Sequence, residues 1–392
     1  MRILSLQYGN IINPYSHGGL AQALHESLKR LAARNDITCF TGLLSGETKS
    51  GEKEIDGVKY FKVGKGNNKY INRLSFSIRN SFSRSFKGYD IVLVPWDRYA
   101  PIWMPPVSNC PVVLELALEF FSIPSKLKIA EPFTRFLLKK NLKKCRYLIT
   151  ISEGVRRIAS QYAKKVKLSE VLPGGIPGEI FQYTARTGNE DYLLYLGRLD
   201  ISHKGLDILL ESYNAANIDL PLVIAGDGID KIKVEKLIKK LALNKKVKTV
   251  GWVKGKEKYE LISNCLAVCI PSRVEGWGIV ATEAAAMGKP AIGTKVVGLE
   301  ESILDGETGI LVQKDNVNEL SRAIKIIVQN KELRRRLGSC AREIAHGFTW
   351  EKIAAQRENF FHKVINDFRR VYPPFNSSGM KSSSGWNGGK TE

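Results

Sequence analysis

No apolar run among the 392 residues approaches the roughly 18 needed to cross a bilayer, and the chain opens on Ile3-Leu4-Ser5-Leu6 rather than on a secretory apolar core. A cytoplasmic location is the resulting expectation. Cysteine is sparse: the six residues, at 39, 110, 145, 265, 269 and 340, form no C-x-x-C and have no histidine partner nearby. They read as buried thiols, not as a metal site. Negative charge is in deficit, with 39 acidic residues against 60 basic ones and a net charge of +21. The excess is uneven, because residues 59–146 hold 17 Lys+Arg and 5 Asp+Glu, a balance of +12. The N-terminal half is therefore the side expected to meet something anionic.

What is present is enough apolar material, 43% of the chain, for two domains of ordinary size. Residues 1–8 read as a first strand. Gly18 and Gly19 follow, where a helix carrying Leu20, Leu24, Leu28 and Leu31 begins. A glycine pair at that edge of a doubly wound sheet suits a ligand, and equally suits a tight connection. Further strands are expected at 37–41, 59–63, 90–94, 112–116 and 148–151, with helical segments between several of them. Alternating strand and helix argues for an α/β fold with a mainly parallel sheet covered on both faces. The first domain is expected to span 1–175, a linker 176–190 and a second domain 191–347, with strands near 192–196, 222–225, 248–253 and 266–270. Thr349 caps an amphipathic helix over 348–372, and the Pro-, Ser- and Gly-rich residues 373–392 read as disordered.

The densest signal lies at 271–290. An apolar strand ends at Pro271, a loop carries Glu275-Gly276-Trp277-Gly278, and an Ala-rich helix then runs to Gly288 and Pro290. Backbone amides of the loop and the positive end of the helix beginning at Ile279 would face one crevice, which suits a diphosphate. Glu275 and Glu283 could accept hydrogen bonds from neutral hydroxyls. An ordinary strand-to-helix corner has the same appearance.

Two segments of the first half are basic and aromatic. Residues 69–87 carry Lys69, Arg73, Arg79, Arg84 and Lys87 beside Tyr70, Phe76, Phe82 and Phe86, and 126–146 carries Lys139, Lys140, Lys143, Lys144 and Arg146 near Phe133, Phe136, Leu137 and Leu138. An amphipathic helix buries one face, so the Phe and Leu read as core. The clustered cations leave three readings: an anionic membrane surface, a solvated basic face, or nucleic acid. The last has no recognition motif behind it.

Glu275 to Glu283, with Pro271-Ser272 before and Met287-Gly288-Lys289-Pro290-Ala291-Ile292 after, resembles the E-x7-E element of glycosyltransferase family 4. These are retaining enzymes of the GT-B fold, in which two Rossmann-like domains face each other across a cleft. The resemblance extends from about Tyr147 to Phe361. It implies a nucleotide diphosphate sugar donor, of UDP or GDP type, and a glycan or lipid-linked acceptor at the cytoplasmic membrane face. It implies no cofactor and no metal, in keeping with a chain that has no D-x-D triplet. On this resemblance Glu275 meets the donor sugar and Glu283 the ribose, while Arg198 and Lys204, after the strand at 192–196, bind the diphosphate. Gly18, Gly19, Gly226, backbone at Val253, and Gly276, Trp277, Gly278 and Ile279 complete the donor site. One departure stands out: members often place a histidine where this chain has Ala117. A catalytically inactive nucleotide-sugar-binding protein is therefore the alternative. Trp96-Asp97-Arg98 either lines the acceptor cleft or, at Trp96, simply packs.

Overall fold

The computed structural model describes residues 1–9, 11, 19–43, 51–64, 69–82, 86, 88–96, 110–117, 130–183 and 192–373. Gly18, Asp97, Arg98 and the tail after 373 lie outside them. In the first half, β1 (Arg2–Leu6), β2 (Asp36–Gly42), β3 (Glu52–Ile55), β4 (Val58–Val63), β5 (Ile91–Pro95), β6 (Val112–Leu116), β7 (Tyr147–Thr150) and β8 (Leu168–Val171) form one sheet. Its order is β3-β4-β2-β1-β5-β6-β7-β8, parallel throughout except for the β3/β4 hairpin. The sequence gives no sign of β3 or β8. Glu52-Lys53-Glu54 is an exposed, charged edge, and β8 is half-buried at the other edge, so neither shows an apolar run.

Alternation along the strands divides the core in two. Ile3, Ile37, Val58, Ile91 and Val113 pack against Leu24, Leu28 and Leu31 of α1 (Gly19–Ala32). Leu4, Leu6, Val92, Val94 and Leu114 face the opposite side, toward Leu138, Leu142 and Val155. That second layer holds α2 (Lys69–Phe82), whose Phe76 packs on Tyr8 and Val63, together with α3 (Ala130–Lys144) and α4 (Glu153–Ser160). Trp96, at the end of β5, is buried in the same core. Of the two readings of its indole, packing is the one realised.

The second half builds a separate sheet from β9 (Leu193–Leu196), β10 (Leu222–Ala225), β11 (Val247–Gly251), β12 (Ala267–Ile270), β13 (Ala291–Thr294) and β14 (Gly309–Val312). All neighbours are parallel, in the order β11-β10-β9-β12-β13-β14. Helices α5 (Ile201–Lys204), α6 (Leu206–Ala216), α7 (Lys231–Lys240), α8 (Gly255–Asn264), α9 (Ile279–Ala286), α10 (Leu299–Ser302), α11 (Val317–Gln329) and α12 (Lys331–Ala345) connect or cover the strands. The chain steps from β9 to β10 to β11 in one direction, then returns to place β12 on the other side of β9. That reversal opens a crevice at the C-terminal ends of β9 and β12.

The chain passes between the lobes twice, and the passages are tied together. The Ile176 amide donates to the Phe348 carbonyl at 2.8 Å, and the Trp350 amide donates to the Ile176 carbonyl at 2.9 Å. Thr349 then caps α13 (Trp350–Val371), its side chain accepting from the Lys352 amide. Phe360, Phe361, Val364 and Ile365 bury the helix against the first lobe. Within that apolar seam, Arg357 makes a bidentate pair with Glu115 at the end of β6, both contacts 2.8 Å, and a bond to Ser27 on α1.

Candidate functional site

The crevice between β9 and β12 gathers Arg198, Lys204 and Glu275. Arg198 leaves the end of β9, fixed through its backbone: the Tyr195 hydroxyl donates to its carbonyl at 2.7 Å. Its side chain is exposed and, among the described residues, has no hydrogen-bond or ion-pair partner. Lys204 closes the single turn of α5, and its ammonium meets a Glu275 carboxylate oxygen at 2.5 Å. Both side chains of that pair are about four-fifths buried. The Ser272 hydroxyl donates to the same oxygen at 3.2 Å. Burial foremost, then the Glu275 charge, hold the Tyr195 phenol far above its ordinary pKa, with Arg198 opposing them.

The loop that bears Glu275 is locked to α5. The Arg273 amide donates to the His203 carbonyl at 2.8 Å. The Arg273 guanidinium spans Asp207 through two 2.9 Å contacts, Asp315 and the Ile201 carbonyl. This fork fixes the spacing between the Lys204 turn and the Glu275 loop. Asp200, at the start of α5, accepts from Ser202 and His203. Burial is the largest single influence on Asp200 and raises its pKa, but those bonds outweigh it and hold the carboxyl below the usual value.

Glycine is required at two points of the motif. A Cβ at Gly276 would lie 2.1 Å from the Ala117 carbonyl oxygen of the first lobe, and Gly278 caps α9 with φ at +84°. No side chain caps that helix, so the amides of its first turn remain available to an anion. Trp277 differs from a surface ligand: its indole is buried, edge-on to Phe348, with its N–H on the Thr282 hydroxyl at 3.0 Å. Only its backbone can contribute to the crevice. Ile279, the first residue of α9, leans on the core of the first lobe.

Glu283 lies one turn into α9, buried, with its carboxylate 2.5 Å from the Lys258 ammonium of α8. Val253 is buried behind the end of β11. Gly226 is stitched to the same end, its amide donating to the Gly251 carbonyl at 2.6 Å. Gly19 begins α1 in the other lobe. The structure therefore brings Arg198, Lys204 and Glu275 to one crevice edge, with Gly276, Gly278 and Glu283 on the adjoining loop and helix. Lys258 and Arg273 escaped sequence reasoning. Arg273 stood inside the motif with nothing to separate it from a surface cation, and Lys258 meets Glu283 only through the fold. Five of the six cysteines are buried, and burial pushes the Cys269 thiol up to about 12, so these thiols are inert.

Comparison with known proteins places this arrangement. Residues 178–344 match the model of the glycosyl transferases group 1 family. An uncharacterized glycosyltransferase of Methanocaldococcus jannaschii is 32% identical over 205 residues, which is 52% of this chain and 56% of that protein. The MMP alpha-(1->4)-mannosyltransferase of Mycolicibacterium hassiacum is 28% identical over 56% of this chain and 54% of its own length. The chain thus spans about half the length of these curated relatives. Sucrose-phosphate synthase of Thermosynechococcus elongatus superposes with a TM-score of 0.77 at 19% identity, over 94% of this chain and all of that one. HepE of Anabaena, in complex with UDP and glucose, superposes at 0.71 and 17% identity, over 93% of this chain and 100% of its own. The fold is GT-B.

Proposed function

We propose, from the match of residues 178–344 to the glycosyl transferases group 1 family model, that the protein moves a hexosyl unit from a nucleotide diphosphate sugar, of UDP or GDP type, to a glycan or lipid-linked acceptor. The observation that carries this reading is the Lys204–Glu275 pair at the switch-point crevice, beside an exposed Arg198 that has no partner among the described residues. Departure of the nucleoside diphosphate builds negative charge on its terminal phosphate. Lys204 and the amides at 276–279, held by the fold, meet that charge without reorganising, and the exposed Arg198 adds its guanidinium from the end of β9; such fixed donors are usually the largest single catalytic contribution. Lys204 has three N–H donors and can bridge Glu275 and a phosphate oxygen together. Glu275 then orients a sugar hydroxyl, and Glu283 accepts from the ribose.

The transfer retains anomeric configuration and needs no metal. The acceptor oxygen attacks from the face the phosphate leaves, its proton passing to a departing phosphate oxygen as the anomeric carbon–oxygen bond to phosphate breaks. Ala117 can supply no base, and this route requires none. Gly19, Gly226 and Val253 line the donor through backbone.

The acceptor is presented at the cytoplasmic face of an anionic membrane. In support, α2 exposes Ile71, Leu74 and Ile78 and α3 exposes Phe133 and Phe136, so these Phe are surface and not core as their spacing suggested. Both helices cover the same side of the first sheet, and Arg79, Lys143 and Lys144 are exposed beside the apolar stripes. Cations at a leaflet surface contribute about 1 kcal/mol each. Among the described residues no helix is long and apolar enough to cross a membrane, so the contact would be peripheral.

The test is release of nucleoside diphosphate from a panel of UDP and GDP sugars, with and without glycolipid acceptors and with EDTA. Acceptor-dependent release that survives EDTA is expected. A donor that raises the melting temperature but is never turned over would favour the inactive binding protein instead.

A further inference from the structure

The first turn of α4, in the N-terminal lobe, is completed by a carboxylate from the other lobe. Ser152 caps the helix in the ordinary way, its hydroxyl accepting from the Val155 amide at 3.3 Å. The two preceding amides, of Glu153 and Gly154, have no partner within a helix. They donate instead to the two oxygens of Glu301, each at 2.7 Å. Val297, two residues before α10, packs into the apolar core behind α4, and a Cβ at Gly154 would stand 2.9 Å from it. The segment that carries this contact also backs the donor loop. Cβ positions at Gly298 and Gly278 fall 2.3 Å from the Gly276 carbonyl carbon and 2.6 Å from Leu299, respectively.

We propose that Glu301 is a positioning residue that clasps the two lobes shut: its carboxylate caps α4 across the cleft and holds the end of β6, at Ala117, against the donor loop at Gly276. The clasp is a matter of geometry, and its part in transfer rests on the donor reading given above. A charged acceptor on two helix-terminal amides is favourable both as a charge-assisted pair and against the helix dipole. Because α10 and the loop before it lie directly behind residues 276–278, displacement of that loop by a bound diphosphate would be felt at the clasp.

The experiment compares the wild-type chain with Glu301→Ala, Glu301→Gln and Gly154→Ala, each first shown to melt cooperatively. Amide exchange at 153 and 154 and the radius of gyration report the clasp directly. Exchange at those amides should quicken by about tenfold or more in Glu301→Ala, with a smaller effect in Glu301→Gln, which keeps one acceptor oxygen. The Gly154→Ala variant leaves the carboxylate in place and should open the joint by crowding Val297. With UDP or GDP, whichever raises the wild-type melting temperature, affinity should stay within about threefold, while turnover falls about tenfold. Unchanged exchange and radius in both Glu301→Ala and Gly154→Ala would show that no clasp exists. Faster exchange with wild-type turnover would overturn the positioning role. A wild-type chain that turns over no donor removes the transferase reading, and with it that role, while the exchange result still decides whether the lobes are clasped.

Discussion

At the scale of single residues, the two cations of the crevice are not equivalent. Lys204 is bound to Glu275 in a largely buried pair, so Lys204→Ala strands a carboxylate and should lower both turnover and melting temperature. Glu275→Gln keeps the shape while removing the charge. It should cost turnover by about tenfold to a hundredfold, with a smaller loss of stability, measured by steady-state kinetics beside thermal melts. Asp200 gives a pH prediction with a definite sign. Its folded carboxyl is held below the unfolded value of about 3.9, so its contribution to stability is fully present above that pH and is lost as acid protonates the folded form. Melting temperatures of wild type and Asp200→Asn should therefore differ at pH 7 and converge below about pH 4. A constant offset across that range would refute the assignment. The resemblance to glycosyltransferase family 4 is what made Arg198, Lys204, Glu275 and Glu283 legible as candidates. Lys258, Arg273 and Glu301 were not, because their partners lie 25, 66 and 147 residues away and nothing local in the chain encodes the pairing.

At the scale of elements, the strands and helices whose apolar residues follow one period could be read directly. The cap at Thr349 fell where the sequence put it. The exposed hairpin strand β3 escaped because its residues carry charge, and Phe133 and Phe136 misled because helical spacing does not say which face is covered. Two elements yield predictions. On α13, Arg357→Ala leaves Glu115 buried and unpaired in an apolar seam, which should cost about 3–5 kcal/mol of stability in urea unfolding. Replacing both partners, as in Arg357→Met with Glu115→Leu, should recover most of that loss, because the uncompensated charge goes with it. On α3, Phe133→Ser with Phe136→Ser, and separately Lys143→Glu with Lys144→Glu, should each weaken sedimentation with anionic vesicles. Neutral phosphatidylcholine vesicles should bind poorly throughout. Equal binding of all variants to both vesicle types would remove the membrane from the account.

At the scale of the whole molecule, two parallel sheets with their C-terminal edges turned to a common cleft bring together residues from widely separated stretches of the chain. The Gly276 backbone lies against the Ala117 carbonyl, and Ile279 and Val297 of the second half pack into the cores of the first. That closure has no signal in either half read alone. The spatial order of the strands, with its topological reversal in each sheet, marks where a ligand can sit. The central claim is that charge developing on a departing diphosphate is met by cations fixed on the C-terminal lobe. Arg198 tests it most cleanly, since its exposed side chain has no partner among the described residues and its removal should leave the fold untouched. The decisive measurement is the turnover of Arg198→Ala with the donor the wild-type chain uses. A loss of about 10²–10³-fold at an unchanged melting temperature is predicted, and turnover near the wild-type rate would contradict the account.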